Sequence, residues 1–272
     1  MSILQAIVLA IVQGVTEFLP VSSSGHLVIA SWLFGWPDQG VVFDAAVHVG
    51  TLAAVLVYFA PEWLALARGV VRGTDAQFRG EGSVGSRRLI GLVVVATIPV
   101  AIAGYFLKDA LSGDLRSPTW AASFLIVTAA ILVAGEKLGN GRRQIPSLGL
   151  PDAVRIGIAQ AFAVLPGISR SGTTISAGLT AGLGRETAAR FSFLLAVPAL
   201  FGAGVFVLGD AVATNESVDW AVVAIGVAVS FAAGLLAIGG LLRLLRTGTL
   251  YPFAAYCALA GVAVLIARAA GA

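Results

Sequence analysis

Two polar interruptions in an otherwise apolar chain restrict what this sequence can fold into. The first reads Leu19-Pro20-Val21-Ser22-Ser23-Ser24-Gly25-His26, preceded by Gln13 and Glu17. The second reads Leu165-Pro166-Gly167-Ile168-Ser169-Arg170-Ser171-Gly172-Thr173-Thr174. Around them 58% of the 272 residues are hydrophobic and the mean hydropathy is +0.95. That profile belongs to a polytopic helical membrane protein and excludes a soluble two-domain enzyme. In a bilayer a carboxylate, an imidazole or a guanidinium is costly unless paired or hydrated, so such groups mark a site by default.

Apolar runs of spanning length occur near 43–60, 88–107, 119–136, 188–208, 220–240 and 251–268, which predicts six transmembrane helices. Two further apolar stretches, 3–34 and 152–183, are cut in the middle by the Pro-Ser-Gly motifs. Their arms are too short to span, so each predicts a re-entrant helical hairpin. Irregular backbone at membrane depth must be covered by protein or water, which predicts a polar cavity at the breaks. The 61–87 connection reads as a surface loop with one short amphipathic piece, and 137–151 as a Gly-rich basic connector. No basic segment precedes the first apolar stretch, so residues 1–19 read as part of the fold. Cys257 lies alone in an apolar run and reads as a small buried hydrophobe.

The net charge of +3 reflects loop residues, so it is a topology signal and no nucleic-acid partner is expected. Placing the 61–87 loop in the cytoplasm puts thirteen of the seventeen Lys and Arg inside: Arg68, Arg72, Arg79, Arg87, Arg88, Lys137, Arg142, Arg143, Arg155, Arg185, Arg190, Arg243 and Arg246. Only Lys108, Arg116 and Arg268 fall outside, and Arg170 sits in the second motif. The 209–219 loop carries Asp210, Glu216 and Asp219 without a basic residue, as an outer loop can.

In this orientation the two hairpins enter from opposite sides, which predicts an inverted repeat. Residues 1–136 form the first half, 151–272 the second, and 137–150 a cytoplasmic connector within one membrane domain. An offset of 147 superposes Gln13 on Gln160, Ser22 on Ser169, Ser24 on Ser171 and Gly25 on Gly172. Folds of this kind place their sites where the broken helices meet.

The residue types at the breaks suit phosphate chemistry. Gln13 and Glu17 are four apart and share one helix face. A single carboxylate with an amide oxygen can hold a Mg²⁺ that completes its shell with water and substrate phosphate. Ser22, Ser23 and Ser24 precede a new helix start, whose amides favour phosphate. His26 lies three residues from Ser23, close enough for either to activate the other. Arg170 is set among Ser169, Ser171, Gly172 and Thr174, and Arg is the preferred partner of a phosphoryl group away from water. Asp44 and His48 form another pair four apart and read as supports for the site. Gly and Ala along the spans read as close helix packing.

These motifs resemble the undecaprenyl-pyrophosphate phosphatases linked to bacitracin resistance. The resemblance covers essentially the whole chain: Gln13 to His26 match the first signature, Pro166 to Thr174 the second, and Phe191 to Pro198 the span that follows. It implies hydrolysis of undecaprenyl pyrophosphate to the monophosphate, returning the lipid carrier to peptidoglycan synthesis. It also implies a divalent cation, Mg²⁺ with Ca²⁺ as the alternative, and a bacterial plasma-membrane protein whose site opens to the outer face. A homodimer is compatible with it. Glu17 and Gln13 would serve metal or water positioning, and Ser23 and His26 the nucleophile and acid/base pair. Arg170, Ser169, Ser171 and Thr174 would clamp phosphate, with Ser22, Ser24 and Gly172 beside them. Gln13 stands where the family also allows Glu, which removes one anionic ligand and predicts weaker metal binding. Attack by Ser23, by His26 or by metal-bound water all fit the pattern.

Two other readings compete. The other membrane lipid phosphatases also use a Ser-Gly-His turn, but they need a second histidine after a Ser-Arg pair, and none follows Ser169-Arg170. A transporter or flippase for a phosphorylated lipid or another anion would share the inverted repeat and broken helices. Binding alone needs fewer reactive groups than these breaks carry.

Overall fold

The computed structural model describes residues 1–37, 39–113, 115–214 and 219–271. Helix α1 (Ile3–Phe18) opens on a capping box, in which the Ser2 hydroxyl accepts from the Gln5 amide and Gln5 answers with its own side chain. It stops where Leu19 turns extended before Pro20, as the residue before a proline prefers. Helix α2 (Ser23–Leu33) restarts from Ser22, which holds φ 72 while its hydroxyl accepts from the Gly25 amide. In the second half α7 (Leu150–Ala161) ends before Leu165-Pro166, and α8 (Arg170–Thr180) starts from Ser169, whose hydroxyl accepts from Gly172. Within each half the two arms pack against each other.

The remaining long helices are α3 (Gly40–Tyr58), α5 (Ser86–Ser112), α6 (Pro118–Leu138), α9 (Arg185–Thr214), α10 (Trp220–Leu245) and α11 (Tyr251–Ala269). Five of the described helices, α5, α6, α9, α10 and α11, are long and apolar enough to cross a membrane. The sixth expected span, α3, meets that test only together with α4 (Ala60–Arg72), from which it is bent by 74°. The protein is an all-α polytopic membrane protein, with one small β-ribbon among the described residues. Where an acidic loop is expected at 209–219, α9 continues to Thr214 and Asp219 caps α10 by accepting from Ala221 and Val222, and residues 215–218 lie outside the described residues. Glu216 and the side chains of Lys108 and Asp210 lie outside the described residues.

The 61–87 connection is more ordered than a surface loop. After α4, strands β1 (Asp75–Phe78) and β2 (Gly82–Gly85) pair antiparallel and bury Ala76, Phe78 and Val84. Between them Glu81 accepts from Thr187 Oγ1 at 2.7 Å and from the Ile145 amide at 3.1 Å. Burial pushes the Glu81 carboxyl above the usual range, and these two donors oppose that shift. Gln144 donates to Gly80 O at 3.2 Å, and Arg88 donates to the carbonyls of Pro146 and Leu148. The ribbon therefore ties the first half to the connector and to the start of α9.

Small residues let the hairpin arms seat deeply. Gly14 of α1 lies against Ser230 and Ala233 of α10, and Gly157 of α7 against Ala96 of α5. At the breaks themselves, a Cβ on Gly25 would sit 2.8 Å from the Gly167 Cα. Gly167 holds φ +104, and a Cβ there would come within 2.3 Å of Ala121 O. Gly167→Ala should therefore cost about 1–3 kcal/mol from overpacking alone and lower the melting temperature in detergent. Gly91→Ala on α5, where a Cβ meets nothing within 4 Å, is the control and should not. Equal melting of Gly167→Ala and the parent would show that the second break is not pressed against α6 at this point.

Candidate active site

The residues singled out in the sequence converge because the two breaks touch. Glu17, buried at the end of α1, accepts from Arg170 of α8 at 2.7 Å, across 153 positions of chain. Its other oxygen accepts from Ser23 Oγ at 2.6 Å and from Gln13 Nε2 at 3.0 Å. His48 Nε2 lies 3.7 Å from that same oxygen, while His48 Nδ1 bonds Asp44 O at 2.6 Å. Asp44 in turn accepts from Gln39 at 2.7 Å and from Arg116 at 2.6 Å. One carboxylate thus gathers an amide, a hydroxyl, a guanidinium and an imidazole, which is how a buried charge is kept.

The seam between the breaks is closed by hydroxyls. The Gly167 amide donates to Ser22 Oγ at 3.2 Å, and Ser171 Oγ donates to Leu19 O at 3.0 Å. Thr174 Oγ1 donates to Arg170 O at 2.8 Å and pairs with Ser192 Oγ at 2.7 Å. Several residues expected to clamp phosphate are thereby engaged in holding the loops. Ser22, Ser171 and Thr174 bridge or brace the breaks, and the Gly172 amide is taken by Ser169 Oγ at 3.0 Å. Ser24 Oγ lies 3.5 Å from Ser22 Oγ, and Ser169 Oγ 3.1 Å from Ser171 Oγ.

The expected Ser23–His26 pair is not formed. His26 Nδ1 bonds Ser22 O at 2.7 Å, one turn back, and Nε2 bonds Tyr256 Oη at 2.7 Å. Ser23 finds its acceptor in Glu17 instead. Sequence reasoning also missed Thr128 of α6, which donates to Gly167 O at 2.8 Å and accepts from the Ser169 amide at 3.0 Å. It missed Ser192 as well, whose carbonyl accepts from Arg170 at 3.2 Å. Hydroxyls on apolar helices were the available signal, but such residues commonly bond their own helix.

Gln13 Oε1 is buried with no hydrogen-bond partner. It lies on the side chain that already reaches Glu17, so the pair offers an uncommitted amide oxygen beside a carboxylate. That suits a hard cation held by one or two protein oxygens. Among the described residues no three His, Cys, Asp or Glu side chains gather into a metal cluster. A groove of about 890 Å³ between α1, α10 and α11, lined by Ile11, Val15 and Leu19 among others, is apolar. Ile11 and Val15 face away from Gln13 and Glu17 at helical spacing, while Leu19, which also lines the groove, carries the carbonyl that accepts from Ser171.

Fold and cluster together define a helical polytopic membrane protein with a charged, hydroxyl-rich site built from two broken helices. The family description "Bacitracin resistance protein BacA" matches residues 6–263. The chain is similar to the undecaprenyl-diphosphatase of Alcanivorax borkumensis, 43% identical over 261 residues, 96% of this chain and 97% of that protein. It is 45% identical over 270 residues to the undecaprenyl-diphosphatase of Corynebacterium diphtheriae, covering 98% and 94%. With the Myxococcus xanthus protein of the same name the identity is 44% over 266 residues, covering 98% and 89%. The chain belongs to the BacA bacitracin-resistance family.

Proposed function

We propose that this protein hydrolyses undecaprenyl pyrophosphate to undecaprenyl phosphate and inorganic phosphate, recycling the lipid carrier for peptidoglycan synthesis, with the two helix breaks as its active site. Family membership over nearly the whole length supports the activity. The observation that carries the site is the Glu17–Arg170 contact, which joins a candidate base to a phosphate-binding cation. Ser23 is the nucleophile and Glu17 its base, because the hydroxyl donates directly to Glu17 at 2.6 Å. The Ser23 oxygen bonds the terminal phosphorus as the bond to the bridging oxygen breaks. The Ser23 proton passes to Glu17, and undecaprenyl phosphate leaves with the bridging oxygen. Water then attacks the phosphoserine phosphorus, the Ser23 oxygen leaves and takes back the proton held by Glu17, and inorganic phosphate is released carrying the water's oxygen.

Arg170 stabilises the charge spread over the transferring phosphoryl oxygens, the main need of this chemistry. An arriving phosphate competes with Glu17 for the guanidinium, which frees the carboxylate to take the Ser23 proton. Glu17 and Gln13 would hold a divalent cation, Mg²⁺ by preference and Ca²⁺ as the alternative, which would neutralise phosphate charge. Their support is the unpartnered Gln13 Oε1.

The topology we infer is six spans and two re-entrant hairpins in an inverted repeat, 1–136 and 151–272, joined by 137–150. In its support, α1 packs on α10 as α7 packs on α5, and Ser22–Gly25 and Ser169–Gly172 make the same cap 147 positions apart. The basic residue count and the contacts between the β-ribbon and the connector favour those segments on the cytoplasmic side. The site then opens to the outer face of the bacterial plasma membrane, and a homodimer is compatible with it. Transport of a phosphorylated lipid explains the broken helices but not the Ser23–Glu17 pair. Phosphate release from undecaprenyl pyrophosphate by purified protein, with Mg²⁺ and with EDTA, tests the reading. Release that EDTA abolishes supports it, and folded protein that releases none under either condition returns the transporter reading.

A further inference from the structure

His26 is held by a residue from the far end of the chain. Tyr256, on α11 and about half exposed, brings its hydroxyl to 2.7 Å from His26 Nε2, and the two rings lie at 12° with centroids 5.5 Å apart. The other ring nitrogen, Nδ1, is 2.7 Å from Ser22 O. A carbonyl only accepts, so Nδ1 carries the proton and Nε2 of the neutral ring is the acceptor. The Tyr256 hydroxyl donates into it. Both nitrogens are then satisfied, the tautomer is fixed, and Nε2 is directed at α11 instead of at Ser23. Nearby, the Cys257 thiol approaches Pro20 O at 3.9 Å and α11 packs along α6, so Tyr256 stands on a backbone that the fold holds against the first break.

We infer that Tyr256 is a positioning residue that holds the ring orientation of His26, whose tautomer the Ser22 carbonyl sets, so that His26 acts as a proton carrier at Nε2 and not as the base for Ser23. This rests on the reading of the breaks as the phosphatase site. It divides the proton work between two groups: Glu17 takes the Ser23 proton, and His26 Nε2 takes a proton from the water that cleaves the phosphoserine. The new Nε2–H donates to the Tyr256 oxygen until the proton passes to the released phosphate. A base in a site gains from a ring whose second nitrogen is already committed, because the reactive nitrogen is then defined.

The test compares Tyr256→Phe, His26→Ala and the double variant with the parent enzyme. The measurements are kcat and KM on undecaprenyl pyrophosphate, melting temperature, and the nitrogen-15 spectrum of protein labelled in histidine. Tyr256→Phe should lower kcat about tenfold, the size of one net hydrogen bond, with KM within about twofold and melting unchanged. Combined with His26→Ala it should add no further loss. In the spectrum, the His26 Nε2 resonance should move as it loses its donor, while the proton stays on Nδ1, which the Ser22 carbonyl still holds. Parent kcat in Tyr256→Phe, or losses that multiply in the double variant, would overturn the proposal. If the parent releases no phosphate the phosphatase reading fails, and an unchanged His26 spectrum in Tyr256→Phe would then overturn the positioning role on its own.

Discussion

Arg170→Ala should lower kcat/KM on undecaprenyl pyrophosphate by about 100-fold or more, a loss of ~3 kcal/mol of transition-state stabilisation. The guanidinium sits between Glu17 and the Ser192 carbonyl at the start of α8, where its charge is little screened and its donors are fixed before substrate arrives. Truncation removes a preorganised cation and leaves Glu17 without its partner, so some stability is lost too, since breaking a buried pair is costly. Arg170→Lys separates the effects. It keeps the charge and so should fold like the parent, yet it lacks the planar fork and should recover only part of the rate. Steady-state phosphate release and a melting curve on the same preparations read both. Turnover within about threefold of the parent in folded Arg170→Ala would remove Arg170 from the mechanism.

The second large effect is expected at the Ser23–Glu17 pair. Ser23→Ala and Glu17→Gln should each lower kcat by roughly 10³-fold, within the ~10²–10⁴ range of positioned general-base assistance. Glu17→Gln preserves the shape of the site and can still accept from Ser23, but it cannot keep the proton. The two variants should therefore fail alike in turnover while KM changes little. A nucleophile elsewhere predicts a different result: Ser23→Ala would retain most of its rate while Glu17→Gln lost it. Rapid-quench kinetics of the first turnover distinguishes the two without reference to product release.

Much of this arrangement was legible in the sequence because membrane solvation penalises stray polarity so heavily. The chain turns extended at Leu19 before Pro20 and, after a 3-10 turn at Phe162–Val164, at Leu165 before Pro166, and Ser22 and Ser169 restart the helices as caps, so both breaks fall at the motifs. The close approach of the two breaks at Gly25 and Gly167 was not foreseen and is seen only in the structure. What failed to read was partner choice. Ser23 and His26 are three apart on one helix, which suggests that they meet, yet a helical His side chain leans back toward the preceding turn and bonds Ser22 O instead. Tyr256 lies in an apolar run between Ala255 and Cys257, and nothing in that run singles it out. Only the packing of α11 on α6 reveals its use. The β-ribbon escaped for a related reason. Its strands are four residues each and bounded by Gly80 and Gly82 at positive φ, too short for periodicity to speak, and they are held by contacts from Gln144 and Thr187 far along the chain.

The central claim is that two breaks 147 positions apart act as one site, and a double-mutant cycle on kcat/KM tests it most directly. Glu17 and Arg170 come from opposite halves and meet at 2.7 Å. If they work on the same transition state, Glu17→Gln combined with Arg170→Gln should be no more than about twofold slower than the slower single variant. Losses that multiply to their full product would mean that the two breaks contribute independently and would contradict the single-site account.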